Sequence, residues 1–109
     1  IIVINDHSTD STADIIMALK IVHPNIKLLH LADFVNGVPL NAYKKKALEI
    51  GVAHAQGELI VTTDADCITP PNWLLLLASL HETQSPQCIA APVNFHQERN
   101  LLERFQSLD

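Results

Sequence analysis

Hydrophobic and polar positions alternate along this chain in a way that predicts strands and helices in turn. Ile1-Ile2-Val3-Ile4 is an uninterrupted β-branched run, the pattern of a strand buried on both faces. The polar cluster Asn5-Asp6-His7-Ser8-Thr9-Asp10-Ser11-Thr12 follows, rich in turn and N-cap residue types. A helix is expected next, because Ile15, Ile16, Leu19 and Val22 recur with a period near 3.6, and Pro24 ends it. Ile26 to Leu31 reads as a second strand, and Ala32 to Leu40, with Gly37 and Pro39, as a loop.

Asn41 is placed to cap another helix, running to about Ala55 with Leu48, Val52 and Ala55 on its inward face and Gly57 just beyond its end. Glu58 to Thr63 reads as a third strand, with Asp64-Ala65-Asp66 at its carboxyl end. After Pro70-Pro71 a helix is expected from near Asn72, burying Trp73, Leu77 and Leu80. Cys88 to Phe95 reads as a fourth strand, and a last helix from about Gln97 carries Leu101, Leu102, Phe105 and Leu108 inward. Strands alternating with helices imply an α/β fold with a mainly parallel sheet and right-handed crossovers. There is no internal repeat and no low-complexity tract, so residues 1–109 read as a single domain.

Composition narrows the function. The 109 residues are 48% hydrophobic and 17% charged, ordinary for a globular α/β protein. Lys+Arg 7 against Asp+Glu 12 gives a formal net charge of -5, which argues against binding a nucleic-acid polymer and suits carboxylates that hold a cation. Cys67 and Cys88 lack C-x-x-C spacing, pointing to reduced thiols rather than a disulfide scaffold. A cytoplasmic location is expected, with the full-length protein peripheral to, or tethered at, the inner face of a membrane. The longest apolar stretches, such as Trp73 to Ala78, are too short to span a bilayer. Because the chain starts at Ile1 within an apolar run and stops at Asp109 after a helical pattern, it is expected to be a fragment truncated at both ends.

In parallel α/β sheets, ligands gather at the carboxyl ends of strands. Both acidic clusters lie at such ends: Asn5-Asp6 after the first strand, Asp64-Ala65-Asp66 after the third. Two carboxylates at i and i+2 where a strand ends can reach one region, and Mg²⁺ or Mn²⁺ takes a few carboxylate oxygens completed by phosphate and water. Such a metal would neutralise a diphosphate as it leaves.

Three ordered motifs carry a family resemblance. Ile1 to Thr12 resembles the V-V-D-D-G-S-T-D-G-T segment of family 2 glycosyltransferases with the GT-A fold. Asn41-Ala42-Tyr43-Lys44-Lys45-Lys46-Ala47-Leu48-Glu49-Ile50-Gly51 is similar to their N-x-G-K-x-x-A-L-N-x-G helix, and Gly57 to Cys67 to their G-E-x-I-x-x-L-D-A-D strand and metal motif, continued by Ile68-Thr69-Pro70-Pro71-Asn72-Trp73-Leu74. The resemblance covers nearly the whole chain. It implies a Rossmann-like GT-A nucleotide-diphospho-sugar transferase fold and an inverting transfer of a hexose from a UDP- or GDP-sugar to a hydroxyl of a saccharide or lipid-linked acceptor, assisted by Mn²⁺ or Mg²⁺. Position by position, it implies that Asp6 binds the nucleotide base, Lys44 lies near the nucleotide, Asp64 faces the ribose or the metal's waters, and Asp66 ligates the metal directly. Asp64 and Asp66 together form the expected metal site.

The sequence also departs from the family pattern. Asn5 stands where the family commonly has Asp, His7 and Ser11 stand at two usual glycines, and Tyr43 at the glycine before Lys44. If position 7 needs positive φ, His is among the more tolerant non-Gly types. The family's opening strand with its P-x-Y-N loop has no match, and the carboxylate general base is expected beyond Asp109. The fragment alone is therefore expected to be catalytically inert and to self-associate through exposed strand edges.

Simpler roles stand beside these. Asp10 and Ser11 serve as N-cap material, Asp6 as an Asx-turn partner, and at least two of Lys44, Lys45 and Lys46 as a solvated face. The six histidines lack metal-site spacing and read as surface or helix-end residues. Cys67 reads as a small packed side chain and Trp73 as a helix anchor. A rival class is an Asp-phosphorylated receiver- or phosphatase-like domain, since Asp64-Ala65-Asp66 superficially fits a D-x-D-x-[TV] motif; Ile68 stands where that motif wants Thr or Val.

Overall fold

A computed structural model describes residues 1–35 and 42–91. The chain divides into two compact units, Ile1–Ile60 and Val61–Asp109.

In the first unit, strand β1 spans Ile2–Asn5, helix α1 Thr12–Val22, strand β2 Lys27–His30, helix α2 Ala32–Val35 and helix α3 Tyr43–His54. The two strands pair in parallel, with Ile2 opposite Lys27 and Asn5 opposite His30. Backbone bonds beyond the ladder lock that register: Lys27 N–H donates to Ile1 O at 2.8 Å and Leu31 N–H to Asn5 O at 3.0 Å. Parallel neighbours need a crossover connection, and α1 provides it. The β-α-β order expected from the alternation is therefore present.

The packing is narrower than the sequence predicts. Leu31, Val35 and Ile50 form the buried cluster, with Ile4, Leu29 and Ala47 packed against it. β1 is not buried on both faces: Ile1 is exposed, and Ile2, Val3 and Ile4 are only half-buried. Of the expected inward residues of α1, Ile16 is half-buried while Ile15, Leu19 and Val22 are exposed. The cause is geometric. α1 packs on β2, a four-residue strand about 13 Å long, which is too small to cover both flanks of an 11-residue helix about 16 Å long.

α3 turns a different face inward from the one expected. Ile50 is buried and Ala47 half-buried, whereas Leu48 and Val52 are exposed. Gly51 explains the choice. A Cβ there would lie 3.1 Å from Ile4 Cδ1, so the missing side chain lets α3 settle closely on β1. The stretch expected as a loop from Ala32 begins with α2, entered by the Phe34 N–H to Leu31 O bond at 3.0 Å; its remainder, 36–40, and the Asn41 cap lie outside the described residues.

Among the described residues the expected third strand finds no partner. Residues 58–63 carry no ladder, although Leu59 and Val61 are half-buried and Ile60 between them is exposed, the alternation a strand would have. A strand exists only through its partner, and among the described residues only β1 and β2 pair. Residues 88–91 are likewise not strand. The rest of the expected fourth strand and the last helix lie outside the described residues.

In the second unit, helix α4 spans Trp73–Gln84. Pro70 O accepts the Trp73 N–H at 3.0 Å, and Ser85 ends the helix in the left-handed region at φ 46, just before Pro86. Trp73, Leu77 and Leu80 are half-buried, while Leu74, Leu75 and Leu76 are exposed, so the expected inward stripe is the observed one. Among the described residues, no helix is long and apolar enough to cross a membrane.

Candidate functional site

The carboxyl end of β1 is built around Asn5, which is only 7% exposed. Its Oδ1 accepts the Ser8 N–H at 3.1 Å, and its Nδ2 lies 3.3 Å from His30 Nδ1 at the end of β2. The first contact closes the turn after the strand; the second ties that turn to the neighbouring strand. The turn-closing role considered for Asp6 is therefore filled by Asn5. An Asn suits it better than the family's Asp, because its amide both donates and accepts.

Asp6 is held from the side. Its Oδ1 lies 2.7 Å from His7 Nδ1, and a carboxylate only accepts, so the imidazole donates. His7 occupies φ 56, the left-handed region that favours glycine. Its ring meets Tyr43 edge to face, with centroids 5.6 Å apart and planes at 87°. Tyr43 is the first residue of α3 and Lys44 the second, so this contact brings the start of that helix to the loop that carries Asp6. Both side chains of the Asp6–His7 pair keep nearly half of their exposure, 45% and 48%.

The loop runs on into α1. Asp10 Oδ1 accepts the Thr12 N–H at 3.0 Å. Hydrogen bonds from the Thr12 side chain and then its backbone hold the Asp10 carboxyl below its ordinary value. Asp10 thus does the capping; Ser11, the residue at the cap position, makes no side-chain cap bond.

In the second unit, Asp64 and Asp66 belong to an exposed turn closed by Cys67 N–H donating to Asp64 O at 3.2 Å. Asp66 lies in the turn itself, not in a helix. Cys67 is a free, exposed thiol rather than the packed side chain expected: a turn of this kind has no interior to place it in. Among the described residues, no three His, Cys, Asp or Glu side chains gather into a metal-sized group. The donor set nevertheless fits a hard cation, because Mg²⁺ is typically held by one or two carboxylates with the rest of its shell from phosphate and water.

Of the lysines, Lys46 pairs with Glu49 at 2.8 Å along α3, a partly solvated pair. Lys44 and Lys45 are exposed. His81 is a helix-end histidine, in the last turn of α4, and its buried Nδ1 has no hydrogen-bond partner among the described residues. His96 lies outside the described residues.

A sequence profile described as Glycosyl transferase family 2 matches residues 1–108. The chain belongs to that family. Its fold is accordingly the Rossmann-like GT-A fold, and the parallel β-α-β unit is the part of it on view here. Membership in family 2 sets the phospho-acceptor alternative aside. Among curated relatives, the dolichyl-phosphate beta-glucosyltransferase ALG5C of Trichomonas vaginalis is 42% identical over 69 residues, which is 63% of this chain and 18% of that protein. ALG5D and ALG5A of the same organism, with the same enzyme description, are 36% and 35% identical over 69 residues, each time 63% of this chain and 19% of the relative. The family 2 chain thus spans about a fifth of the length of these relatives. No solved structure matches it significantly.

Sequence reasoning missed two members of the first cluster, Asn5 as the turn's organiser and Tyr43 as the ring against His7. A signal for the second was available. His7 and Tyr43 both stand at positions where family 2 has glycine, and paired departures of that kind suggest contact.

Proposed function

We propose that this chain is the nucleotide-sugar-binding part of an inverting glycosyltransferase that uses a nucleoside-diphosphate sugar, Mn²⁺ or Mg²⁺, and a lipid-linked acceptor. The observation that carries the reading is an exposed Asp64-Ala65-Asp66 turn in a family 2 chain. Asp66 would ligate the metal and Asp64 would approach the ribose or the metal's waters, while Asp6 takes the base of a UDP- or GDP-sugar and Lys44 lies by the nucleotide. The bound metal would supply charge neutralisation at the departing diphosphate. The names of the relatives suggest glucose as the sugar and dolichyl phosphate as the acceptor. Such an acceptor suits a protein associated with the cytoplasmic face of a membrane.

Calorimetry on the full-length protein tests this reading. UDP or GDP should bind in the presence of Mn²⁺ or Mg²⁺, and chelation with EDTA should abolish most of the heat. Asp66→Ala should weaken metal-dependent binding by about tenfold or more, the loss of a strong charge-assisted contact. Binding that is indifferent to EDTA and to Asp66→Ala would refute the metal site.

A further inference from the structure

We propose that His7 is a positioning residue for nucleotide binding: its Nδ1–H fixes the Asp6 carboxylate, and Tyr43 fixes the imidazole. The inference rests on the reading above that Asp6 faces the nucleotide.

Three observations converge on His7. It sits at φ 56, where a non-glycine residue is strained, and such strain persists where the surroundings hold it and tends to mark ligand sites. What holds it here is specific. The 2.7 Å contact to Asp6 lies in the short range of charge-assisted hydrogen bonds, and the edge-to-face contact at 5.6 Å comes from a different segment, the first turn of α3. Finally, the pair remains about half exposed, at 48% and 45%, so a ligand can still reach the carboxylate.

With glycine at position 7, the Asp6 side chain would choose among rotamers freely. With His7, one oxygen is occupied and the rotamer is set before the ligand arrives, leaving the second oxygen for a single ligand donor. Fixing a rotamer in advance removes an ordering cost from binding. His7 and Tyr43 work together in this scheme, since without the Tyr43 ring the imidazole could swing away from Asp6.

The test is titration of UDP and of GDP, each with Mn²⁺, into full-length protein carrying His7→Gly, His7→Asn or Asp6→Ala. Glycine accepts φ 56 without strain, so His7→Gly should leave the melting temperature unchanged or raised while weakening nucleotide binding about three- to tenfold. Asn tolerates the left-handed region and can donate from its amide as Nδ1 does. His7→Asn should therefore restore affinity to within about twofold of the parent, which a purely structural role would not require. Parental affinity in His7→Gly alongside weakened binding in Asp6→Ala overturns the role of His7 and leaves the nucleotide site standing. His7→Asn binding as poorly as His7→Gly also overturns it. If Asp6→Ala binds like the parent, both the inference and the placement of the base at Asp6 fall.

Discussion

Replacing Asn5 by Ala tests the turn on which the first cluster is built. The substitution removes two contacts at once: the 3.1 Å bond from Ser8 N–H to Asn5 Oδ1 and the 3.3 Å contact of Nδ2 with His30 Nδ1. A net intramolecular hydrogen bond contributes about 0.5–1.5 kcal/mol. Both partners belong to exposed residues, so water can replace part of what is lost and each contact falls toward the lower end. The side chain being truncated is itself buried at 7% exposure, which adds lost packing. The expected total is about 1–2 kcal/mol. Asn5→Asp keeps the acceptor for Ser8 and lets His30 donate from Nδ1 by changing tautomer; it should cost less than Ala despite placing a charge there. Urea unfolding reads the difference as a lower midpoint at unchanged slope, and amide exchange should show Ser8 losing protection in Asn5→Ala alone. Equal midpoints for parent and Asn5→Ala, with Ser8 still protected, would refute the claim that Asn5 organises this loop.

Gly51→Val should destabilise the first unit by about 1–3 kcal/mol through overpacking, because its Cβ would already stand 3.1 Å from Ile4 Cδ1 before the two methyls are added; a melting temperature at or above the parent's would show that α3 has room to move. Gly51→Ala sets the same close approach against a helix-propensity gain of about 1 kcal/mol, so it should lie well above Val in the same melting experiment. The Asp10 carboxyl, lowered by its bonds from Thr12, should titrate by NMR below the ordinary carboxylate range in the folded protein. The sign follows: a depressed folded value contributes stability that is present above the unfolded value and lost as pH falls through the folded one. Asp10→Asn should remove that part of the acid sensitivity.

The first unit's element order was legible because its signals are local. A β-branched run, a polar capping cluster, an apolar period broken by Pro24 and a second short apolar run each declare themselves within a few residues. What could not be read locally was which faces would be covered. Leu48 and Val52 are as apolar as Ile50, yet only Ile50 is buried, because Gly51 decides where α3 can come closest to β1. The third strand shows the same limit in reverse. Glu58 to Thr63 has a strand's composition, but a ladder needs a neighbour, and composition does not supply one. In the candidate site, the acidic residues stood out as types, whereas Asn5 and Tyr43 matter through partners that lie 25 and 36 positions away in the chain. Contacts at such separations are fixed by the fold.

On the proposed reading, the acceptor's chemistry alters what the rest of the enzyme must provide. A hydroxyl acceptor has to lose its proton as it attacks and so calls for a general base. A phosphate monoester such as dolichyl phosphate, the acceptor named in the relatives, has its second ionisation near pH 6 and is already a dianion at neutral pH. Its oxygen needs no base to become a nucleophile. The difficulty moves from proton transfer to charge: a dianion must approach a diphosphate donor without being repelled. On that reading a metal held by Asp64 and Asp66 would address that problem, since it would lessen the negative field of the donor phosphates. The chain's own formal charge of -5 makes it harder. If the acceptor is a phosphate, the proposed metal would serve twice, and losing it would cost both the grip on the donor and the approach of the acceptor.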